Sequence, residues 1–341
     1  PWAMRRKHLN QSRILIPTLA LLLGTGNIRS LALAFPQAQP SASSHQDVYT
    51  ISDKINLVLL DVSVREPRGG YVRNLTKEDF QVFEDGRPQR ITQFGSVDTP
   101  VTVGLVVDDS GSMRLKRPQV VLAGLAFAKE SNPQDEFFVV NFNERVVRGL
   151  PDRIAFTDNL QGLRAALYYG EPNGQTALYD AIAYSLKHLE LSRQDKRTLI
   201  VVSDGADNVS RISLSDLMTF VQASRATIYT VGLFDAGNTD RNPNVLRKLA
   251  KVSGGEYFEP TLPEDVVPVF HKISADIRNR YSIGYVPADT EAKGVLRSVR
   301  VTAAGKDHRK LIARTRTAYT VIPFSELIAQ QRSTEDRRKK K

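Results

Sequence analysis

Between Val101 and about residue 280, short runs that are apolar on both faces alternate with segments of helical period. Val101-Thr-Val-Gly-Leu-Val-Val107, Thr198-Leu-Ile-Val-Val202 and Thr227-Ile-Tyr-Thr-Val231 present no consistently polar face. Each therefore reads as a strand covered on both sides, as a parallel sheet between two layers of helices requires. Strand segments at 101–108, 136–143, 198–203, 226–233 and 256–259 alternate with helical ones at 117–131, 158–168, 176–190, 213–224, 243–253 and 263–280. A hairpin-like return falls at 145–149. The pattern predicts an α/β domain over 99–280, built on a doubly wound, mainly parallel, Rossmann-like sheet.

The flanks are β in character. Ile55–Val64 reads as a strand, Pro67–Gly70 as a turn, and Thr76–Asp79 as a capping box on one short helical turn. Phe80–Phe83 and Gln89–Phe94 flank Asp85-Gly86, a strong hairpin signal. Beyond 280, Tyr281–Val286, Leu296–Thr302 and Lys310–Thr315 read as strands with turns at 287–294 and 305–307. The N-terminal β module (48–98) and the C-terminal β segment (281–321) are each too short for a stable sheet pair. They are expected to combine into one β-sandwich with the α/β domain inserted between them. The cations Arg297, Arg300, Arg309, Lys310, Arg314 and Arg316 are read as a solvated face or a charge-protected edge.

Charge is concentrated at the ends. Of the net +10, residues 4–34 carry +5 and residues 332–341 carry +4, which leaves +1 for everything else. The body thus lacks the basic field of a nucleic-acid binder. A basic start, the apolar run Ile14–Leu23 and Ala32-Leu33-Ala34 make residues 1–34 a secretory signal pattern. An uncleaved anchor associating with the envelope or membrane surface is the second reading of that segment. Residues 35–47 read as a linker and 322–341 as a polar, basic tail. The expected location is exported: periplasmic, cell-envelope or secreted. No cysteine occurs, which excludes disulfides, thiol catalysis and Cys-built zinc sites.

The first α/β strand runs straight into Asp108-Asp-Ser-Gly-Ser112. In open α/β sheets ligands bind outside the carboxyl ends of strands. Asp108, Ser110 and Ser112 can there converge on one point. Thr176, in Asn173-Gly-Gln-Thr-Ala-Leu178, and Asp204, which closes Ile200-Val-Val-Ser-Asp204, are placed at the same edge by the expected topology. Two carboxylates and three hydroxyls, with no sulfur or imidazole, form a hard-cation donor set. Mg²⁺ fits it best, with Mn²⁺ next and Ca²⁺ less well. Asp109 adds a nearby negative charge. No dinucleotide fingerprint, P-loop or His-Glu-x-x-His pattern appears. His188 and His271 read as structural, and Ser203 as part of its loop.

Asp108-Asp-Ser-Gly-Ser112, Thr176 and Asp204 resemble the metal-ion-dependent adhesion site of von Willebrand factor type A domains over roughly 99–280. The resemblance implies direct metal contacts from Ser110, Ser112 and Thr176, with Asp108 and Asp204 often acting through water. Leu75-Thr-Lys-Glu-Asp-Phe80, Val82-Phe-Glu-Asp-Gly86 and Tyr281-Ser-Ile-Gly-Tyr285 are similar to exported VWFA-related domain proteins of acidobacterial type. The implied function is non-enzymatic: metal-dependent adhesion or protein interaction, with an acidic side chain of a protein partner completing the ion's shell. Two rivals stay open. One is a Mg²⁺-dependent hydrolase drawing a base from Asp109 or Asp207, and the other a structural envelope scaffold with an inactive site.

Overall fold

The computed structural model describes residues 57–235, 241–287, 294–305, 310–322, 326, 327 and 329. The signal segment, the linker, residues 48–56, the turns expected at 287–294 and 305–307 for the most part, and most of the tail lie outside the described residues. The chain divides into two units at residue 52, and all described residues belong to the second.

Four strands come first: β1 (Val58–Arg65), β2 (Phe80–Glu84), β3 (Arg87–Gln89) and β4 (Ile91–Gly95). The α/β region then runs β5 (Val101–Asp108), α1 (Arg117–Glu130), β6 (Glu136–Phe142), β7 (Val146–Arg148), α2 (Leu160–Tyr168), α3 (Leu178–Leu189) and β8 (Lys196–Ser203). It continues through α4 (Leu214–Ala223), β9 (Thr227–Gly232), α5 (Pro243–Ser253), β10 (Tyr257–Phe258) and α6 (Val266–Arg278). Strands β11 (Arg280–Tyr285), β12 (Leu296–Ala303), β13 (Ile312–Arg314) and β14 (Ala318–Thr320) follow.

The α/β sheet has the order β10-β9-β8-β5-β6-β7. Its pairings are parallel apart from the antiparallel β6–β7 return. Every residue of β5 is buried, as the all-apolar run demands. At its middle, a Cβ on Gly104 would lie 2.3 Å from the Phe138 ring and 2.6 Å from Leu199. Those two side chains, from β6 and β8, close over the glycine. The chain leaves β5 for β6 on one side and returns through β8 on the other. Winding therefore reverses beside β5, and the crevice that hosts ligands in such sheets opens at its carboxyl end.

The flanking strands form two four-stranded sheets, β13-β1-β11-β4 and β14-β12-β2-β3. Each takes strands from both ends of the chain: β1 pairs with β11 from Val58↔Tyr285 to Ser63↔Arg280, and β2 with β12 through Val82↔Val301. Leu60, Val62, Phe80, Val82, Ile283 and Val301 belong to one apolar cluster that both sheets share. Asp85 (φ 48°) and Gly86 (φ 79°) both lie in the left-handed region, as a two-residue hairpin turn requires.

Three sequence expectations change. The run 89–94 is not one strand: β3 and β4 belong to different sheets, and the chain crosses between them at Arg90. The C-terminal cations are not simply solvated. Arg297 is buried and pairs with Glu84 at 2.8 Å, Arg314 pairs with Asp276 at 2.8 Å, and Arg316 is 9% exposed. Leu327, assigned by sequence to the polar tail, is buried against the α/β core.

Candidate metal centre

Asp108 closes β5 and is fully buried. Both its oxygens accept hydrogen bonds, from the Ser110 N–H (2.8 Å) and from Ser203 Oγ (2.6 Å). Burial pushes its pKa up to about 6, against the lowering effect of those two partners, and the charge of Asp204 adds to the rise. This carboxylate is held in a dry place next to a second one.

From the Ser110 that holds it, hydroxyls lead on to the loop after β8. Ser110 Oγ lies 3.1 Å from Ser112 Oγ, and Ser112 Oγ donates to Asp204 Oδ2 at 2.9 Å. The other Asp204 oxygen accepts from the Ala206 N–H (3.1 Å). Thr176, 4% exposed, is tied in through backbone. Its N–H donates to Asn208 Oδ1 (2.9 Å), its carbonyl accepts from the Asn208 N–H (3.0 Å), and the Gly111 N–H donates to Gly174 O (3.3 Å). The three loops that follow β5, precede α3 and follow β8 are thus stitched together. Asp108, Ser110, Ser112 and Asp204 meet directly, and Thr176 stands in the loop bound to both of theirs.

The donor chemistry fits a small hard cation. Adjacent ligands of an octahedral Mg²⁺, with bonds of about 2.0–2.1 Å, stand about 2.9–3.0 Å apart. The Ser110–Ser112 and Ser112–Asp204 oxygen separations, 3.1 and 2.9 Å, match that spacing. No group of three or more His, Cys, Asp or Glu occurs among the described residues in a metal-holding arrangement. A cation at this place would therefore have to draw on hydroxyls where a third acid is lacking.

Two neighbouring acids turn out to be committed elsewhere. Asp109, whose charge the sequence set beside the metal, turns inward and pairs with Arg117 Nε at 2.6 Å, only 2% exposed. Arg117 also donates to Asn141 Oδ1 (2.9 Å) and Leu167 O (2.6 Å). Burial raises the Asp109 pKa to about 6 while Arg117 opposes the rise. Asp207 accepts from the Tyr179 N–H (3.1 Å) at the start of α3 and from Ser210 Oγ (2.5 Å). Neither is a free base.

Sequence reasoning read Ser203 only as part of its loop and Asn208 only as a turn residue that could line the rim, and passed over Arg117; these three orient Asp108, Thr176 and Asp109. A hydroxyl closing an otherwise apolar buried strand needs a polar partner, and that signal could have singled out Ser203. His188 is buried with Nε2 2.8 Å from Ala155 O, and His271 faces Glu130 at 2.6 Å. Both rings are thus engaged with groups of the fold.

Residues 103–206 match the family model of the von Willebrand factor type A domain. The chain therefore contains such a domain, from within β5 to just past β8. Among solved structures it is similar to a von Willebrand factor type A protein from Catenulispora acidiphila, at 16% identity over 73% of this chain and 75% of that one, with TM-score 0.48. It is also similar to the vWF domain of the type V pili tip protein Mfa5 from Porphyromonas gingivalis (16% identity, 53% of this chain and 96% of that one, TM-score 0.42). A third is the PilB minor pilin from Streptococcus sanguinis (14% identity, 57% and 64%, TM-score 0.43). No curated protein matches the chain.

Proposed function

Because the chain contains a von Willebrand factor type A domain, we propose that it is an exported, non-enzymatic binding protein of the VWFA-related, acidobacterial type. It carries a metal-ion-dependent adhesion site on a β-sandwich formed by its two ends. The observation that carries this reading is the linked set Asp108–Ser110–Ser112–Asp204 at the winding reversal, in which the Ser110 N–H holds Asp108 and the Ser110 and Ser112 hydroxyls lead on to Asp204. Ser110, Ser112 and Thr176 hold a Mg²⁺ ion, with Asp108 and Asp204 as the charged members. The bound ion supplies an electrophilic point for a carboxylate of the partner protein. Two carboxylates would match the ion's charge without exceeding it, so a coordination position not filled by the protein could still take an oxygen of a partner carboxylate. Ser203 and Asn208 fix the loops, and the loop surface around them sets specificity.

The acids a hydrolase would draw on as base are engaged, Asp109 with Arg117 and Asp207 with Ser210 and the α3 amide. That favours binding over turnover. The test is a pull-down of envelope proteins with the full chain in Mg²⁺ against EDTA. Capture that requires Mg²⁺ and is lost in Asp108→Ala supports the proposal. Capture indifferent to EDTA overturns it, and a melting temperature unmoved by Mg²⁺ points to a scaffold with an inactive site. The expected location is checked by fractionating cells that express the tagged chain.

A further inference from the structure

At the opposite edge of the α/β sheet, the amino end of β8 meets the face of β1, β11 and β4 around a cleft of about 270 Å³. Lys196 opens β8 opposite Val101 and is 6% exposed. Its ammonium forms no hydrogen bond or ion pair among the described residues, yet it lines this cleft. Across from it stands Asp61. Leu60 and Val62 point into the β core at 1% and 0% exposure, so by the two-residue period of a strand Asp61 faces the α/β domain. Ser63 confirms that face by reaching Asp276 at 2.7 Å. The Asp61 carboxylate likewise has no hydrogen-bond or ion-pair partner among the described residues. It lies near enough to act electrostatically on Lys196, as on Arg280 and Arg316, but makes no ion pair with any of them.

An acid and an ammonium that share a cleft, oppositely charged and not joined, leave room between them for a ligand that joins both. Arg225, on the rim, adds a second donor beside Lys196. The floor is kept low by small residues: Ser282, paired in register with Asp61, and Gly95, whose missing Cβ would meet only Ser282 Cβ at 4.0 Å. The volume lies just below the range of about 300–1,000 Å³ for drug-sized ligands.

We propose that this cleft is a second binding site, independent of the metal centre, for a small zwitterion with the chemistry of a free α-amino acid. The ligand carboxylate is held by Lys196 and Arg225, and its ammonium by Asp61. The electrostatics agree. Burial pushes the Lys196 pKa down, Asp61 and Asp98 oppose this, and Arg278 and Arg280 add to it. Asp98 already serves Arg278 at 2.7 Å and Asp61 does not touch Lys196, so the ammonium has no counter-ion in contact among the described residues, and a bound carboxylate provides one.

The test is calorimetric titration of the full chain with alanine, and with acetate and methylammonium as half-ligands. Alanine is expected to bind saturably, and each half-ligand about tenfold or more weaker, because half the charged contacts are missing. Lys196→Met and Asp61→Asn should each weaken alanine binding about tenfold or more. Lys196→Met removes an unpaired buried charge, so its melting temperature should hold. Ser282→Leu keeps both charges but fills the cleft, and should abolish binding. Asp108→Asn and EDTA should leave binding intact. No heat at millimolar alanine, acetate binding as tightly as alanine, or unchanged affinity in Lys196→Met would each overturn the proposal.

Discussion

At the residue scale the candidate metal centre stores unfavourable charge. Asp108 is fully buried and lies close enough to Asp204 for repulsion, and burial is the larger cause of its raised pKa. Asparagine in its place keeps the shape. The amide oxygen still accepts from the Ser110 N–H, and the amide nitrogen can donate to Ser203 Oγ. Asp108→Asn should therefore cost no more than about 1 kcal/mol in metal-free protein. It should also eliminate any rise in melting temperature on adding Mg²⁺, which differential scanning calorimetry with and without the ion would read. Gly170 makes the opposite case. A Cβ there would lie 1.5 Å from Asp109 Oδ2 and 2.8 Å from Arg117 Nη2. Gly170→Ala must push the buried pair apart, and separating such a pair costs about 3–5 kcal/mol. The Asp109 carbonyl accepts from the Asn173 N–H at 2.7 Å, so the loop carrying Thr176 should loosen as well. Urea unfolding would measure the loss, and Mg²⁺ titration the weaker ion binding.

At the element scale, long segments with a clear period were legible and short ones were not. Helices α1 to α5 and strands β5, β6, β8 and β9 fall within about two residues of where periodicity places them, the usual uncertainty of element ends. Six or more residues of consistent pattern leave little choice of structure. The three-residue β14 carries too little pattern to show a period, and no expectation named it. The crossing between sheets at Arg90 was hidden because apolar alternation says which face is inside, not which sheet a strand joins. At the site, the residues at strand ends were readable from the strands they close. The inward turn of Asp109 was not, because its partner Arg117 lies on the next helix and only packing brings them together. Capping is legible and testable. Ser213 Oγ accepts from the Asp216 N–H at 3.1 Å and donates to the Asp216 carboxylate at 2.7 Å, closing a reciprocal cap on α4. Ser213→Ala should cost about 1 kcal/mol, seen as a lower urea midpoint with unchanged slope.

At the scale of the whole molecule, one carboxylate ties the β sheets to the α/β domain. Asp276, fully buried on α6, accepts from Ser63 Oγ (2.7 Å) and Arg65 (3.0 Å) on β1, Arg280 (2.8 Å) at the start of β11, and Arg314 (2.8 Å) on β13. Tyr229 of β9 donates at 2.5 Å from within the α/β sheet. Arg65 and Arg314 also pair with Glu256, so the network spans both parts of the chain. Burial alone would raise the Asp276 pKa. Arg280 and Arg314, with the hydroxyls of Ser63 and Tyr229, outweigh it and hold the group well below the usual carboxylate range. The sign of the linkage follows. In the unfolded chain an aspartate titrates near about 3.9, so folding is stabilised in full above that pH. The stabilisation is lost as pH falls below it toward the native value, because the unfolded chain then binds a proton that the native state refuses. Asp276→Asn removes the charge and leaves three guanidiniums short of a partner, at a cost of about 3–5 kcal/mol at neutral pH. The gap between wild type and variant should narrow as pH drops below about 4. Paired urea titrations from pH 7 down to pH 3 would track it, and a gap that stayed constant would show that Asp276 does not couple the two parts through its charge.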